Sequence, residues 1–198
     1  MNVNCTFAFP IPIIDFNIDS FPQFRDDLIN HIYDVKSQSS GVQVSNNGGW
    51  QSDDTQIPHQ FASALLGNTV SVIEQFLDGK HTVNVYNTWY NVNPPGSSND
   101  RHTHPCSDLS AVCYVKTTGA DSGLIEFESP NNFTQFKLLD SVGSDVAERA
   151  QMSHATLFTP KEGTVIVFPA DLRHRVLTNN TDEDRISIAW NMRIIDKQ

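Results

Sequence analysis

The 198-residue sequence predicts an α+β protein, with N-terminal helices packed on one face of an antiparallel jelly roll. Two segments with helical spacing of apolar residues come first, and short β-rich runs separated by turn clusters fill the rest of the chain. We expect a single domain over residues 1–198, with helical support at about 15–80 and the jelly-roll core at about 81–195.

The two predicted helices cover residues 20–37 and 58–77. Ser20 is a candidate N-cap for the first, whereas the second begins with Pro58 and is followed by the stop signal Asp78-Gly79. In both segments apolar residues recur every three to four positions: Phe21, Phe24, Leu28, Ile32 and Val35 in the first, and Phe61, Leu65, Val70, Ile73 and Phe76 in the second. Each helix is therefore expected to bury one stripe against the sheet.

The β-rich runs fit the strand number of an eight-stranded jelly roll. They cover residues 82–93, 109–116, 123–128, 155–159, 164–168, 174–178 and 185–194, and clusters of Gly, Pro, Asn and Asp separate several of them. Residues 131–152 show little periodicity, and we expect this segment to pass over the mouth of the barrel.

Composition and charge limit the kinds of molecule that the protein can bind and the compartment in which it is expected. The net charge of −10, with no compensating basic run, argues against nucleic acid, because phosphate binding rests on Lys and Arg. No apolar stretch is long enough to cross a membrane, and the N-terminus lacks the pattern of a secretory signal. Free thiols are expected at Cys5, Cys106 and Cys113, which fits a reducing compartment and predicts a cytoplasmic protein. For the sequons at Asn4, Asn132 and Asn179 we expect no glycosylation.

Three histidines are candidate metal ligands. His102 and His104 lie two residues apart, so in an extended chain both imidazoles share a face. His174 follows a predicted strand and a turn. On local pattern alone, an exposed histidine pair and a hydrogen-bonded surface His174 stay as alternatives.

The last predicted strand alternates strictly. Arg185, Ser187, Ala189 and Asn191 share one face, and Ile186, Ile188 and Trp190 share the other. An arginine among small polar residues inside a barrel indicates a bound anion, since a buried unpaired guanidinium costs several kcal/mol and its fork suits a carboxylate. The alternative is an exposed Arg185 paired with Asp182, Glu183 or Asp184. Tyr114 faces the same interior if Ser110 and Val112 do, and otherwise it is an ordinary core aromatic.

Taken together, these residues resemble the iron(II)- and 2-oxoglutarate-dependent oxygenases, in particular the prolyl-hydroxylase-like group found in bacteria and in phages of marine cyanobacteria. The resemblance runs from about residue 83 to residue 194. The motifs that carry it are Trp89-Tyr-Asn-Val-Asn-Pro-Pro-Gly96, His102-Thr-His104-Pro, Ser110-x-x-x-Tyr114-Val, Pro160-Lys-Glu-Gly163, Phe168-Pro-Ala-Asp-Leu-Arg-His174-Arg-Val and Asp184-Arg185-Ile-Ser187-Ile-Ala-Trp-Asn191.

The resemblance implies a double-stranded β-helix of the cupin-like type and a set of residue roles. His102 and His174 match the two iron-binding histidines of the family. His104 falls where the family has a carboxylate, which leaves the site one negative charge short. Asp108 is the alternative third ligand, although its spacing does not match the motif, and a site with two histidine ligands alone is the other alternative.

The cosubstrate residues follow by the same resemblance. Arg185, helped by Ser187, matches the arginine that binds the C5 carboxylate of 2-oxoglutarate, and Tyr114 matches a tyrosine that hydrogen-bonds that carboxylate. Asn191 and Asn87 are candidates for contact with the cosubstrate or the substrate. The implied cofactors are Fe(II), 2-oxoglutarate and O2.

The implied activity is hydroxylation of a protein side chain, an amino acid or a small metabolite, and the oligomeric state stays open. Trp50, Trp89 and Phe133 are candidate pocket-wall residues, with plain core as the alternative. Two other functions compete. One is a cupin-like metal protein or three-histidine dioxygenase without 2-oxoglutarate, which would not need Arg185 and Ser187. The other is a non-catalytic structural or binding module, in which the histidines would not converge.

Overall fold

The computed structural model of the chain describes residues 10–131, 141–150 and 152–197. Four α-helices lie within these residues: α1 (Arg25–Ser37), α2 (His59–Ala62), α3 (Asn68–Glu74) and α4 (Ser144–Arg149). The strands are β1 (Ile14–Asn17), β2 (Asn46–Asn47), β3 (Trp50–Gln51), β4 (His81–Asn93), β5 (Ser98–His102), β6 (Leu109–Lys116), β7 (Ile125–Glu128), β8 (Ala155–Phe158), β9 (Thr164–Pro169), β10 (His174–Val176) and β11 (Arg185–Asp196).

The strands form two antiparallel sheets that enclose a barrel. The large sheet has the order β1-β9-β6-β11-β4-β3, and the small sheet has the order β2-β5-β10-β7-β8. The eight strands from β4 to β11 contribute four to each sheet, and β1, β2 and β3 extend the edges. This is the predicted double-stranded β-helix, and the predicted fold class is confirmed.

The helices cover the outer face of the large sheet. Ile186, Ile188 and Trp190 of β11 are fully buried in one apolar cluster together with Leu28 of α1 and Leu65 of the helical segment after α2. The alternation of β11 therefore sends its large apolar side chains to the helices and its small and polar side chains to the barrel interior. Fully burying one such side chain contributes about 1.5–3 kcal/mol, so this interface fixes which face of β11 points inward.

Both helices differ from their predicted extents. Phe21–Gln23 form a single 3-10 turn and α1 begins only at Arg25. Ser20 makes no capping hydrogen bond from its side chain, so the proposed cap is wrong. In the second segment, a π-helical stretch (Ser63–Gly67) separates α2 from α3. Thr69 Oγ1 donates to the Leu65 carbonyl there, a side-chain bond that competes with regular helical pairing.

Four strands were not predicted: β1, β2, β3 and β5. The first three are four residues long or shorter, so they carry too little periodicity to be recognised. β5 reads Ser-Asn-Asp-Arg-His and has no apolar alternation; it forms because it pairs with β2 and β10.

The segment predicted to cross the barrel mouth is only partly described. Residues 141–150 contain α4, and none of them lines the cavity between the two sheets. Residues 132–140, with Phe133, lie outside the described residues. In the described ranges no helix has the length and apolarity needed to cross a bilayer.

The thiols that the structure describes are free, as expected, and Asn179 is the sequon residue that it describes. Cys106 and Cys113 are free. Asn179 is fully buried and donates to the Asn93 and Glu183 carbonyls. Cys5, Asn4 and Asn132 lie outside the described residues.

Candidate metal centre

The main cavity lies between the two sheets, inside the barrel, and has a volume of about 440 Å³. Its floor is the inner face of the large sheet, where strand register aligns side chains in rows. One row runs from Gln51 through Asn91 and Ser187 to Tyr114, and a second runs from Asn87 through Asn191 to Ser110. The small sheet supplies the opposite wall, which includes His102 and His174.

His102, His104 and His174 converge in this cavity. One ring nitrogen from each lies within 4.8 Å of those of the other two. Nε2 of His104 and Nε2 of His174 are 3.3 Å apart. Nitrogens at adjacent corners of an octahedron lie about 3 Å apart if each metal–nitrogen bond is about 2.1 Å. The three side chains therefore fit a single divalent ion, whose open positions would face the cavity.

A β-bulge in β5 brings His102 to the interior. His174 pairs with His102 and Val176 pairs with Asn99, so two residues of β10 span the same length as three residues of β5. The extra residue shifts the alternation of β5, and Asn99 and His102 both line the cavity as a result. Bulges beside functional sites commonly redirect side chains in this way.

Backbone carbonyls orient two of the imidazoles. Nδ1 of His102 lies 2.6 Å from the Asp100 carbonyl oxygen, and Nδ1 of His174 lies 2.9 Å from that of Leu172. In the neutral tautomer that donates from Nδ1, Nε2 keeps its lone pair for a metal. The rings of Phe168 and His174 pack edge to face at 4.7 Å, which further restricts the orientation of His174.

The electrostatic environment keeps the histidines neutral. Burial, together with the neighbouring His174 and His102, lowers the pKa of His104 to about 3. Burial and His102 lower the pKa of His174 to about 4, and burial lowers the pKa of His102 as well. Since a metal binds only the unprotonated nitrogen, the site has no proton to displace near neutral pH.

Arg185 is buried deeper in the same cavity. It is 1% exposed, and Nη1 donates to the Ser122 carbonyl at 2.8 Å. The other contacts of Nη1 and Nη2 are long, 3.4–3.5 Å, and involve the carbonyls of Gly123 and Leu177 and Asn99 Oδ1. Among the described residues no carboxylate pairs with Arg185, so the alternative of an exposed arginine bound to Asp182, Glu183 or Asp184 is wrong. Burial lowers the pKa of its guanidinium, and an anion would restore the missing charge balance.

Tyr114 and Ser187 lie beside Arg185. They are cross-strand neighbours, and both line the cavity. The Tyr114 hydroxyl is buried and has no hydrogen-bond partner in the described part of the chain. Burial raises the pKa of Tyr114 to about 12, so the phenol stays protonated at neutral pH and can donate a hydrogen bond. An orphaned donor beside an unpaired guanidinium is the chemistry of a carboxylate site.

Gly123 makes the close approach of Arg185 possible. Its φ is +101°, and a Cβ at this position would clash with Arg185 Nη1 and with the Leu177 carbonyl oxygen. The sequence places Gly123 in a turn cluster and at the start of the predicted run 123–128, whereas the observed strand begins at Ile125. Its functional role is to let the Arg185 guanidinium approach the backbone. This role depends on a contact between residues 62 positions apart, so the local sequence does not reveal it.

The remaining candidates divide between the cavity and other places. Asn191 donates to Asn87 Oδ1 at 3.2 Å and accepts from Ser110 Oγ at 2.8 Å, so these three form a chain on the floor. Trp89 lines the cavity, and its ring lies 5.6 Å from that of His104.

Two candidates lie elsewhere. The carboxylate of Asp108 accepts from the Ile194 backbone N–H at 2.8 Å, and Asp108 belongs neither to the histidine cluster nor to the cavity lining. Trp50 belongs to the apolar cluster on the helix side and donates to the Ser39 carbonyl.

Solved structures with the same fold are numerous. SnoN, a non-heme α-ketoglutarate-dependent epimerase from nogalamycin biosynthesis, superposes with a TM-score of 0.67 at 12% identity, over 94% of this chain and 78% of SnoN. A prolyl-4-hydroxylase from Pseudomonas putida gives 0.60 at 17% identity, over 92% and 93%. A viral collagen prolyl hydroxylase from Paramecium bursaria Chlorella virus-1, in complex with 2-oxoglutarate, gives 0.57 at 16% identity, over 91% and 94%. At these identities the likeness shows the fold.

The family is shown by sequence. Residues 87–191, more than half of the chain, match the family model described as "Putative 2OG-Fe(II) oxygenase". A search among curated proteins found no significant match. The matched residues include all three histidines, Arg185, Ser187 and Tyr114. The convergence of the histidines and the family match leave no support for the non-catalytic alternative or for the cupin-like alternative without 2-oxoglutarate. This chain belongs to the 2OG-Fe(II) oxygenase family, whose cofactors are iron(II) and 2-oxoglutarate.

Proposed function

We propose that the chain is a hydroxylase in which His102, His104 and His174 hold the iron. The observation that carries the proposal is the sharing of one cavity by a convergent histidine triad and a buried arginine without a carboxylate partner. A metal site alone would fit many activities. The guanidinium adds a binding point for a carboxylate, which the cosubstrate of this family has at C5.

Arg185, Ser187 and Tyr114 are the proposed ligands of that carboxylate. Arg185 supplies positive charge from a position that is 1% exposed, where little water screens it. Tyr114 and Ser187 supply neutral hydroxyl donors from neighbouring strands. Because the large sheet holds all three, the C5 end would be fixed relative to the histidines before any substrate arrives.

Iron(II) with 2-oxoglutarate supplies, when bound, activation of O2 coupled to decarboxylation of 2-oxoglutarate to succinate and CO2. The chain's part is to position these groups and to exclude water. Trp89 and Phe168 form apolar walls next to the histidines. The Ser110–Asn191–Asn87 chain leaves the Asn87 amide as the last polar group of the floor, available to the cosubstrate or the substrate.

His104 is the proposed third ligand, in the position where the family has a carboxylate. Its ring lies 5.1 Å from both His102 and His174, whereas Asp108 is committed to the Ile194 backbone outside the cavity. Three neutral imidazoles leave the charge of the iron uncompensated by the protein. The negative charge that compensates the iron would therefore come from the carboxylates of 2-oxoglutarate, and this attraction favours tight binding of the cosubstrate.

Hydroxylation of a protein side chain, an amino acid or a small metabolite is the proposed reaction. Two of the structurally similar proteins are named as prolyl hydroxylases, which supports hydroxylation. The acidic chain, with its net charge of −10, supports a substrate other than nucleic acid.

Anaerobic titration tests the proposal. Iron(II) is added to the purified protein and 2-oxoglutarate follows, while the weak visible charge-transfer band of a metal–2-oxo chelate is monitored. We expect the band in the native protein, its loss with iron binding in His174→Ala, and retained iron with weakened 2-oxoglutarate in Arg185→Gln. Arg175→Gln, at a partly exposed arginine that pairs with Glu126, is the matched control and should bind iron and 2-oxoglutarate as the native protein does. Iron binding without the band in the native protein would contradict the proposal.

A further inference from the structure

Three exposed aspartates are among the residues that line the main cavity. We call Asp53, Asp54 and Asp100 the rim carboxylates. All three are exposed and line the cavity, and in the described part of the chain none has an ion-pair partner. Asp53 and Asp54 follow β3 at the edge of the large sheet, whereas Asp100 lies in the bulge of β5 in the small sheet. Both sheets therefore contribute negative charge to the cavity lining, although one oxygen each of Asp53 and Asp54 accepts from a backbone N–H, of Asp54 and of Thr88.

Among the described residues that line the cavity, no free positive charge offsets the rim carboxylates. Two arginines line the cavity, Arg101 and Arg185. Arg185 is buried deep inside, and Arg101 is directed to Glu126 and Glu128, at 3.6 and 3.3 Å. An acidic rim repels 2-oxoglutarate, which carries two negative charges, so it works against cosubstrate binding. The rim charges thus point to a different molecule.

Two buried amides lie on the floor of the cavity, in the row that continues to Ser187. Gln51 and Asn91, the amide pair, are cross-strand neighbours on β3 and β4, and each is 8% exposed. Both line the cavity. Neither side chain makes a hydrogen bond within the described ranges, and Asn91 Oδ1 is a fully buried acceptor without a donor. Leaving such a group unsatisfied costs about 1–3 kcal/mol, so this part of the floor is polar in a place where no described protein group satisfies it.

We propose that the substrate of this oxygenase carries a protonated amine or a guanidinium group, which the rim carboxylates bind while the amide pair hydrogen-bonds the adjacent polar atoms. This inference rests on the proposed function and specifies its substrate class. The Trp89 ring, which lines the same cavity, can pack against the alkyl stem or the cation of such a group. A basic free amino acid or amine and a basic side chain of a peptide share this chemistry.

The test uses the full chain with iron(II) and 2-oxoglutarate under anaerobic conditions. The probes are L-lysine and L-arginine, the capped peptides Gly-Lys-Gly and Gly-Arg-Gly, and the controls L-norleucine, L-glutamate and Gly-Glu-Gly. Binding is measured by calorimetry and by the perturbation of the charge-transfer band. With O2 admitted, succinate formation above the substrate-free rate is measured for each probe. Comparison of free and peptide probes distinguishes the two sources of the basic group.

The rim variant is Asp53→Asn, Asp54→Asn and Asp100→Asn combined. Its matched control, Asp19→Asn, Asp27→Asn and Asp182→Asn combined, changes the net charge equally at exposed positions outside the cavity. We expect the rim variant to bind the basic probe at least about tenfold more weakly, which equals 1.4 kcal/mol, and to bind 2-oxoglutarate as tightly as the native protein or more tightly. The control variant should bind both as native. Gln51→Met should weaken the basic probe and leave 2-oxoglutarate unchanged.

Several results would overturn the inference. They are the absence of binding by any basic probe at millimolar concentration, equal binding of neutral or acidic probes, a rim variant that behaves as its control, and a Gln51→Met variant that loses affinity only for 2-oxoglutarate. A native protein that shows the charge-transfer band but no preference for basic probes refutes this inference alone. A native protein without the band refutes the proposed function.

Discussion

Replacing Gly123 with alanine should separate cosubstrate binding from stability. Gly123 has φ +101°, and the added Cβ would lie within 3.0 Å of Arg185 Nη1 and of the Leu177 carbonyl oxygen. An ordinary contact needs 3.4–4 Å, so the guanidinium must withdraw from this position. The backbone conformation itself adds strain of about 1–3 kcal/mol for any residue other than glycine.

The expected loss of affinity follows from one displaced hydrogen bond. A hydrogen bond to a charged group contributes about 1.5–3 kcal/mol, so Gly123→Ala should weaken 2-oxoglutarate by about 10- to 150-fold. Gly119→Ala is the matched control. Gly119 lies in the same turn with φ +95°, and a Cβ there meets no atom within 4 Å. It therefore adds backbone strain without touching Arg185.

The assay compares both variants by urea unfolding and by anaerobic 2-oxoglutarate titration. We expect a lower free energy of unfolding in both, with weakened 2-oxoglutarate only in Gly123→Ala and unchanged iron affinity in each. Equal 2-oxoglutarate affinities in the two variants would refute the role assigned to Gly123. So would a loss of iron in Gly123→Ala.

Three further predictions concern the histidines, the core and the surface. Without metal, the folded pKa values of His104 and His174, about 3 and about 4, lie below the ordinary 6.5, so the unfolded chain binds more protons between about pH 3 and 6.5. The free energy of unfolding of the metal-free protein should rise with pH over that window. In a variant that combines His104→Gln and His174→Gln, urea unfolding should show a weaker dependence of this free energy on pH. An unchanged dependence would contradict the neutral triad. Ile188→Ala should lower the free energy of unfolding by about 2–5 kcal/mol, because the side chain is fully buried. The variant should keep normal iron affinity when folded, and a loss below 1 kcal/mol would refute the packing role. Arg25→Gln removes a partly exposed ion pair with Glu162 at 2.7 Å and should lower the free energy of unfolding by about 1 kcal/mol or less. A larger decrease in urea unfolding would show that this pair anchors α1.

Sequence was sufficient wherever a single strand carried the pattern. The alternation of β11 predicted which side chains face the helices and which face the cavity, and the structure has Ile188 and Trp190 in the helix-side core and Arg185 and Ser187 in the cavity. The helical stripes were recognisable for the same reason, since 3.6-residue periodicity is a local property. Phe76 is the exception: it was predicted to belong to the second stripe, but it follows the end of α3 at Glu74 and is 66% exposed.

Features that depend on pairing between distant segments were not predictable. The bulge in β5 exists only relative to β10, and without it Asn99 and His102 would face opposite sides of the small sheet. β3 has two residues, yet it brings Gln51 against Asn91 across 40 positions of sequence. Helix ends were misplaced where a local interaction competes with regular geometry, as at the 3-10 turn after Ser20.

The groups that orient the site are mainly backbone carbonyls. His102 is oriented by the carbonyl of Asp100, His174 by that of Leu172, and Arg185 by that of Ser122. A point mutation at Asp100, Leu172 or Ser122 changes the side chain and still leaves the backbone carbonyl oxygen in place. The orientation of His102, His174 and Arg185 thus depends on the backbone conformation and not on the identity of the neighbouring side chains. Substitutions around the site should therefore lower activity only slowly, as long as the strands keep their register.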